Sequence, residues 1–353
     1  MPAAIAWLDA IDQQRVIRAC GAKMGRLAEL PSAGVRVPQG FAVTADAYRL
    51  HCAKTGLGEV IDAALGGLDS DADTARIETA VQAVQAELTS REMGADLTGS
   101  ITRAYEELNY RCLGVNVPVA VRSSAIGEDS ATASFAGIFD TYLGVRGDDQ
   151  VLEAVRRCWA SLFNARAVAY RLRAGLHYRD MPMAVGVLEL IHAQASGVAF
   201  SASPVTGKTD RVVIETNWGW GEAVVMGLVT PDHVEVGKAD GRTLRYRVAT
   251  KKVISAFDNA AGRIVETDMP ARLADRQVLD DEQIAAVVDA VLAVERYYGY
   301  PVDVEWVLDK YRRAGEPVCV VQARPVTLTS ARTDPTPTTW DPAAIAMKYA
   351  FKR

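Results

Sequence analysis

The sequence offers no cysteine or histidine framework for a metal. Its 353 residues include five cysteines and four histidines. Cys20, Cys52, Cys112, Cys158 and Cys319 form no CxxC pair and are odd in number, which argues against a disulfide framework and a thiolate zinc site. His51, His177, His192 and His233 lack metal-ligand spacing. There is no long apolar run, and the N-terminal MPAAIAWLDAIDQQ carries acids early. Neither a signal peptide nor a membrane span is therefore expected, and the chain reads as cytoplasmic with no membrane partner. An excess of basic charge is also missing. The formal net charge is −5, a poor basis for general nucleic-acid binding. No internal repeat occurs.

What is present is an ordinary globular composition, 49% hydrophobic and 24% charged, long enough for two or three packed subdomains. Residues 23–30 read as a short helix stopped by Pro31, and 35–43 as a strand with a Pro-Gln-Gly turn inside it. From Thr44, a plausible N-cap, to about residue 109 the pattern is helical, with Ile77, Val81, Val84 and Leu88 at helical spacing. Val117, Val119 and Val121 then alternate as a strand, a polar loop covers 123–134, and 138–145 reads as another strand. Asp148 and Asp149 open a helix. From 183 the chain is strand-rich, with candidates at 183–191, 197–201, 212–216, 233–236, 302–308 and 318–325. One strong helix begins at Asp280 and Asp281 and ends at Gly299. Residues 331–353 read as linker and tail.

The most informative chemistry lies in the last two strands. Alternation puts Asp303 and Glu305 on the face opposite Val302, Val304 and Trp306, and gives Gln322 and Arg324 a common face on the next strand. If the strands pair, two carboxylates, an amide and a guanidinium converge. Hard oxygen ligands of this kind suit Mg²⁺ carried by a nucleotide's phosphates, and the arginine offers a planar fork to phosphate oxygens. A solvated outer face with a surface ion pair explains the same pattern equally well. Arg122 ends a strand before the Ser- and Gly-rich segment SSAIGED, whose backbone N–H groups suit phosphate, although it matches neither common phosphate-loop pattern; an ordinary capped turn is the simpler account. Lys23 lies among glycines near a helix start in CGAKMG, where a lysine can meet a phosphate as a point charge, although most lysines are simply solvated. The segment ETNWGWGE suits a tight buried turn, where packing is at least as good an account as catalysis.

Taken together, these segments resemble the nucleotide-binding domain of the phosphoenolpyruvate synthase and pyruvate phosphate dikinase family, which rifampin phosphotransferase shares. The resemblance runs in order through GAKMGRLAEL, VRVPQGFAVTADAY, VAVRSSAIGEDSATASFAGIFDTYL, SLFNARAVAYR, SGVAFS, WGWGEAVVMG, YYGYPVDVEW and VVQARP, nearly the whole chain. It implies an α+β ATP-grasp fold with two lobes closing on ATP. The N-terminal lobe would span 1–182 with a helical subdomain at about 44–110, and the C-terminal lobe 183–330. Lys23 and Arg122 would hold the phosphates, with Gly137 and Thr141 lining the same site. Glu305 and Gln322 would ligate Mg²⁺ with Asp303 close by, and Arg324 would steady the transferring group. The strand expected to read V-Q-[KR]-M-V reads Val187-Leu-Glu-Leu-Ile191. Leu188 thus stands where a nucleotide-contacting glutamine is expected, leaving backbone groups from Glu189 to Ile191 to serve the base.

None of the four histidines lies in a TGG…H-type phosphohistidine motif. The resemblance therefore implies a phosphohistidine-bearing subunit on a separate chain, which passes the phosphoryl group to a small-molecule acceptor. Such a split resembles phenylphosphate synthase and makes phenol the first-choice acceptor. Alternatives are the nucleotide subunit of another phosphoenolpyruvate-synthase-like or rifampin-phosphotransferase-like system, a non-catalytic nucleotide sensor, and a piece of a longer chain. The retained Lys23, Arg122, Glu305, Gln322 and Arg324 favour turnover over sensing, and the apolar residues within 340–353 favour a natural end.

Overall fold

The computed structural model describes residues 3–9, 13–126, 129–130, 133–134, 139–225, 227–258 and 263–326. Gly137 and the tail lie outside them. The chain divides into two compact units, Met1–Ala28 with Gln39–Leu190 and Glu29–Pro38 with Ile191–Arg353. The boundary expected at 182/183 thus falls at 190/191, and 29–38 joins the second unit.

The first unit runs β1 (Ile5–Trp7), α1 (Gln13–Glu29), β2 (Gly40–Val43), α2 (Ala45–Thr55), α3 (Leu57–Leu65), α4 (Thr74–Ser90), α5 (Ala95–Arg111), β3 (Val119–Ala125), β4 (Asp129–Ser130), β5 (Ala133–Ser134), β6 (Thr141–Val145), α6 (Asp148–Ser161), α7 (Ala165–Ala174) and β7 (Met183–Glu189). The helical region expected after Thr44 resolves into α2 to α5. Thr44 caps α2 by accepting the Ala47 N–H at 3.2 Å, and Asp73 caps α4 by accepting the Arg76 N–H at 2.8 Å; each such cap is worth about 1 kcal/mol. The strand expected at 35–43 shortens to β2, because Pro38 has no N–H to donate.

The main sheet has the order β1-β2-β7-β3-β6, with every pairing antiparallel. Strand β7 lies between β2 and β3, which is why the unit extends to residue 190. Phe41, Val43, Val119, Val121, Val185 and Val187 belong to one apolar core with Ile101, Tyr105, Val155 and Trp159 from the helices. Alternation puts Gly40, Ala42, Ala120, Arg122, Gly186 and Leu188 on the opposite, small-residue face. Ser123 and Ser124, expected in a loop, are buried strand residues paired with Val185 and Ala184.

The second unit contains β8 (Ala193–Phe200), β9 (Arg211–Trp218), α8 (Glu222–Val225), β10 (Asp232–Gly237), β11 (Thr243–Arg247), β12 (Val253–Asp258), β13 (Arg263–Asp268), α9 (Ala271–Ala274), α10 (Asp281–Tyr298), β14 (Val302–Asp309) and β15 (Cys319–Pro325). Its main sheet is antiparallel in the order β11-β10-β9-β8-β14-β15. Helix α10 opens with a capping box between Asp280 and Gln283 and closes at a left-handed Gly299. It packs on β14, whose Val302, Val304 and Trp306 are buried. A fully buried ion pair ties the far edge together. Asp232 accepts from Lys251 Nζ at 2.7 Å, Ala249 N at 2.9 Å, Tyr246 Oη at 3.0 Å and Val278 N at 3.0 Å. With four donors on one carboxylate, the buried charge is matched. No helix among the described residues is long and apolar enough to cross a membrane.

Candidate functional site

In the first unit, α1 breaks at Gly21 (φ 73°), so the helical turn carrying Lys23 begins afresh against the sheet. A Cβ at Gly21 would lie 2.4 Å from Ser124 O, so no side chain fits there. The Met24 N–H donates to Ser124 Oγ at 3.3 Å, and the Met24 thioether fills the space over Gly186. Arg122 is paired on one side with that Gly186 and on the other with Thr141. Leu188 lies two residues along β7, between Gly40 and Ala120 and only 2% exposed. Lys23, Arg122, Thr141 and Leu188 are thus brought to one side of one sheet. Glu189 is paired with Val119 and therefore points to the other face. Its N–H donates to Gln39 O at 2.8 Å, that of Leu190 to Pro118 O at 2.9 Å, and Ile191 O accepts from Trp220 Nε1 at 3.0 Å. Much of the backbone expected to serve a base is thereby committed to the protein. Behind this sheet, Cys158 lies within electrostatic reach of Lys23 and Asp140; burial pushes its thiol well above the ordinary range, so it is inert.

In the second unit, β14 and β15 pair as alternation predicted, with Asp303 opposite Arg324 and Glu305 opposite Gln322. Arg324 Nε donates to Asp303 Oδ2 at 2.8 Å, and Gln322 Nε2 to Glu305 Oε1 at 2.6 Å. Asp303 is 4% exposed and Gln322 7%. A fully solvated face is therefore excluded; Asp303 and Gln322 are desolvated, Glu305 and Arg324 keep partial exposure, and all four are held in register. A bulge between Glu305 and Trp306 leaves the two pairs as adjacent rows. The donor set fits Mg²⁺, with hard carboxylate and amide oxygens from facing residues and no dense ligand cage. Among the described residues, no group of three or more His, Cys, Asp or Glu could hold a metal alone.

The same face continues across the sheet. Glu305 pairs with Val198, Val198 with Glu215, and Glu215 with His233. His233 Nδ1 lies 2.7 Å from Glu215 Oε1 and Nε2 lies 3.3 Å from Glu235 Oε1, while Arg211 Nη1 donates to Glu235 Oε2 at 2.7 Å. Sequence reasoning missed this cluster; only the period-two spacing of Arg211, Val213 and Glu215 with His233 and Glu235 hints at it. The ETNWGWGE segment packs. Trp218 and Trp220 donate their indole N–H groups to Leu273 O and Ile191 O, and a Cβ at Gly219 would lie 2.2 Å from Ser255 O.

With both sets placed, comparison with known proteins decides the family. The family model described as pyruvate phosphate dikinase, AMP/ATP-binding domain matches residues 17–342. The chain belongs to that family. Its fold is accordingly α+β of the ATP-grasp type. A probable phosphoenolpyruvate synthase of Methanothermobacter thermautotrophicus is 40% identical over 90% of this chain and 45% of its own length. One from Methanocaldococcus jannaschii is 38% identical over 92% of this chain and 26% of its own length. The phosphoenolpyruvate synthase of Pyrococcus furiosus is 34% identical over 92% of this chain and 44% of its own length. The chain thus spans less than half the length of these relatives.

Proposed function

We propose that the chain is the ATP-binding subunit of a split dikinase, transferring the β,γ-diphosphoryl group of Mg·ATP to a histidine on a partner chain. The observation that carries this reading is the pairing of buried Asp303 with Arg324 beside Glu305 with buried Gln322. Glu305 and Gln322 would hold Mg²⁺, with Asp303 adjacent. The ion would supply charge neutralisation on the phosphates. Arg324 would stabilise negative charge on the transferring group, and Asp303 would fix the orientation of its guanidinium. Lys23 and Arg122 would bind phosphate oxygens of a nucleotide, with Thr141 beside Arg122 and Gly137 from the neighbouring segment lining that site. Leu188 would meet the nucleotide with an apolar surface where the family resemblance implies an amide.

A partner histidine nitrogen attacks the β-phosphorus. The bond from that phosphorus to the α,β-bridging oxygen breaks and AMP departs. Water then releases the γ-phosphate as Pi and leaves a phosphohistidine for the acceptor. Spending two anhydride bonds suits a weakly reactive hydroxyl, and phenol, giving phenylphosphate, is the first acceptor to test. The four histidines of this chain support placing the nucleophile elsewhere. His51 and His233 are buried, and both ring nitrogens of His233 face carboxylates.

The nucleotide product tests the reading. A single turnover with partner and acceptor, resolved by chromatography, is expected to give AMP and Pi with the phosphorylated product. ADP as the sole nucleotide product would sink the dikinase reading, even if every residue named above touches ATP.

A further inference from the structure

On the core side of the first unit's sheet, three helices bring together polar groups that the protein leaves unmatched. Tyr48 and His51 come from α2, Arg156 and Trp159 from α6, and Arg171 from α7. The Trp159 ring lies 5.7 Å from that of Tyr48 and stacks 5.2 Å from that of His51. His51 Nε2, Arg156 Nε, Trp159 Nε1 and Arg171 Nη1 are buried atoms that make no hydrogen bond of ordinary geometry, and the Tyr48 hydroxyl has only the Cys52 thiol as a weak partner. Leaving even one such atom unmatched typically costs about 1–3 kcal/mol, so four in one helix cluster call for an explanation.

Arg171 is the centre of the problem. It is 4% exposed, its Nη2 donates to Leu162 O at 2.6 Å, and its guanidinium lies 5.3 Å from the Phe163 ring centroid. Capping the end of α6 accounts for Nη2 alone. Neither Arg171 nor Arg156 has a carboxylate partner among the described residues. Burial brings the Arg171 guanidinium down to about 10. Burial, together with the charges of Arg156 and Arg91, brings His51 down to about 4. This interior is therefore electropositive and rich in donors. Water would satisfy the N–H groups but not the charge. A dianion would cost more to desolvate, and rings stacked this closely leave little room for a polyatomic ligand.

We propose that Tyr48, His51, Arg156, Trp159 and Arg171 form a binding site for a small monovalent inorganic anion of the halide class, which ties α2, α6 and α7 together. The site is independent of the nucleotide chemistry. Crystals of the full chain soaked in bromide and measured at the bromine edge are expected to show an anomalous peak within hydrogen-bonding distance of Arg171 Nη1 and Trp159 Nε1. Density there without anomalous signal is water and overturns the proposal. In solution, replacing gluconate by chloride at constant ionic strength is expected to raise the thermal midpoint, and Arg171→Met to abolish that rise. If Arg171→Met fails to fold, Trp159→Phe decides. It keeps an aromatic ring at that position, removes the indole donor and is expected to weaken halide binding about tenfold; undiminished chloride dependence in that variant overturns the assignment. The His51 imidazole, followed by NMR, is expected to titrate higher in chloride than in gluconate, and identical titration in both salts counts against the site.

Discussion

Arg324 and Asp303 face each other across two antiparallel strands, joined by a 2.8 Å hydrogen bond from Nε to Oδ2, with Glu305 and Gln322 in the next row. The bond holds the planar guanidinium in register beside the Glu305–Gln322 row. Glu305→Ala, Gln322→Ala and Arg324→Ala are expected to fold normally, since the packing of β14 rests on Val302, Val304 and Trp306 on the other face. Phosphoryl transfer should fall about a hundredfold or more in each. Circular dichroism and turnover measured on the same preparations check this; near-wild-type turnover in Arg324→Ala would remove the hairpin from the mechanism.

A second consequence concerns Gly186. A Cβ there would lie 2.1 Å from Met24 Sδ, so Gly186→Ala must displace Met24 and, with it, the turn that carries Lys23. The expected cost is about 1–3 kcal/mol of stability, with weaker ATP binding. Met24→Ala should restore much of both, because it removes the clashing atom and leaves Lys23 in place. Denaturant melts and ATP titrations of the two single variants and the double variant measure the coupling. Additive losses would show that Met24 does not transmit the effect.

The half of the site that lies in one hairpin was legible in the sequence. Asp303, Glu305, Gln322 and Arg324 lie on two neighbouring strands whose alternation is local, so period two alone assigned their faces. The Glu215–His233–Glu235 cluster was not legible, because its placement depends on pairing β9 with β8 and β10, a non-local choice. Strands β11 and β13 were missed for a related reason. Thr243, Leu244 and Arg245, and Arg263 with Glu266 to Asp268, are exposed, so no buried stripe marks them. The strand read at 183–191 forms as β7 over Met183–Glu189, yet its partners β2 and β3 lie far away in sequence, and so the boundary moved.

The His233 cluster makes a pH prediction. Burial works against an imidazolium there, but the hydrogen bonds and charges of Glu215 and Glu235 outweigh it and hold His233 above its ordinary value. The folded protein therefore binds this proton more tightly than the unfolded chain. The stabilisation is full below the unfolded histidine value of about 6.5 and is lost as pH rises through the raised folded value. Urea midpoints should fall from slightly acid to alkaline pH, and His233→Gln should flatten that slope. A wild-type profile that rises over the same window would contradict the assigned direction.

The four histidines also determine where a phosphoryl group can rest. An imidazole that accepts phosphate needs one ring nitrogen open to the phosphorus, with the other held by a partner that fixes its tautomer. His51 is 3% exposed and stacked on Trp159, and His233 faces a carboxylate at each nitrogen. His177 sits on an exposed turn, but its lone-pair nitrogen Nδ1 is already engaged by the Arg179 N–H at 3.2 Å, which leaves the ring proton on Nε2, and His192 lies edge-on to Tyr311 at 5.4 Å. None of them is paired in register with Arg324, Gln322, Arg122 or Thr141. The chain alone, incubated with Mg·ATP labelled in its β-phosphate, should therefore bind nucleotide yet gain no acid-labile phosphate. With a phosphohistidine-bearing partner added, the label should appear on the partner. Stoichiometric labelling of any of these four histidines in the isolated chain, located by mass spectrometry at alkaline pH, would place the intermediate on this chain and remove the need for a second one.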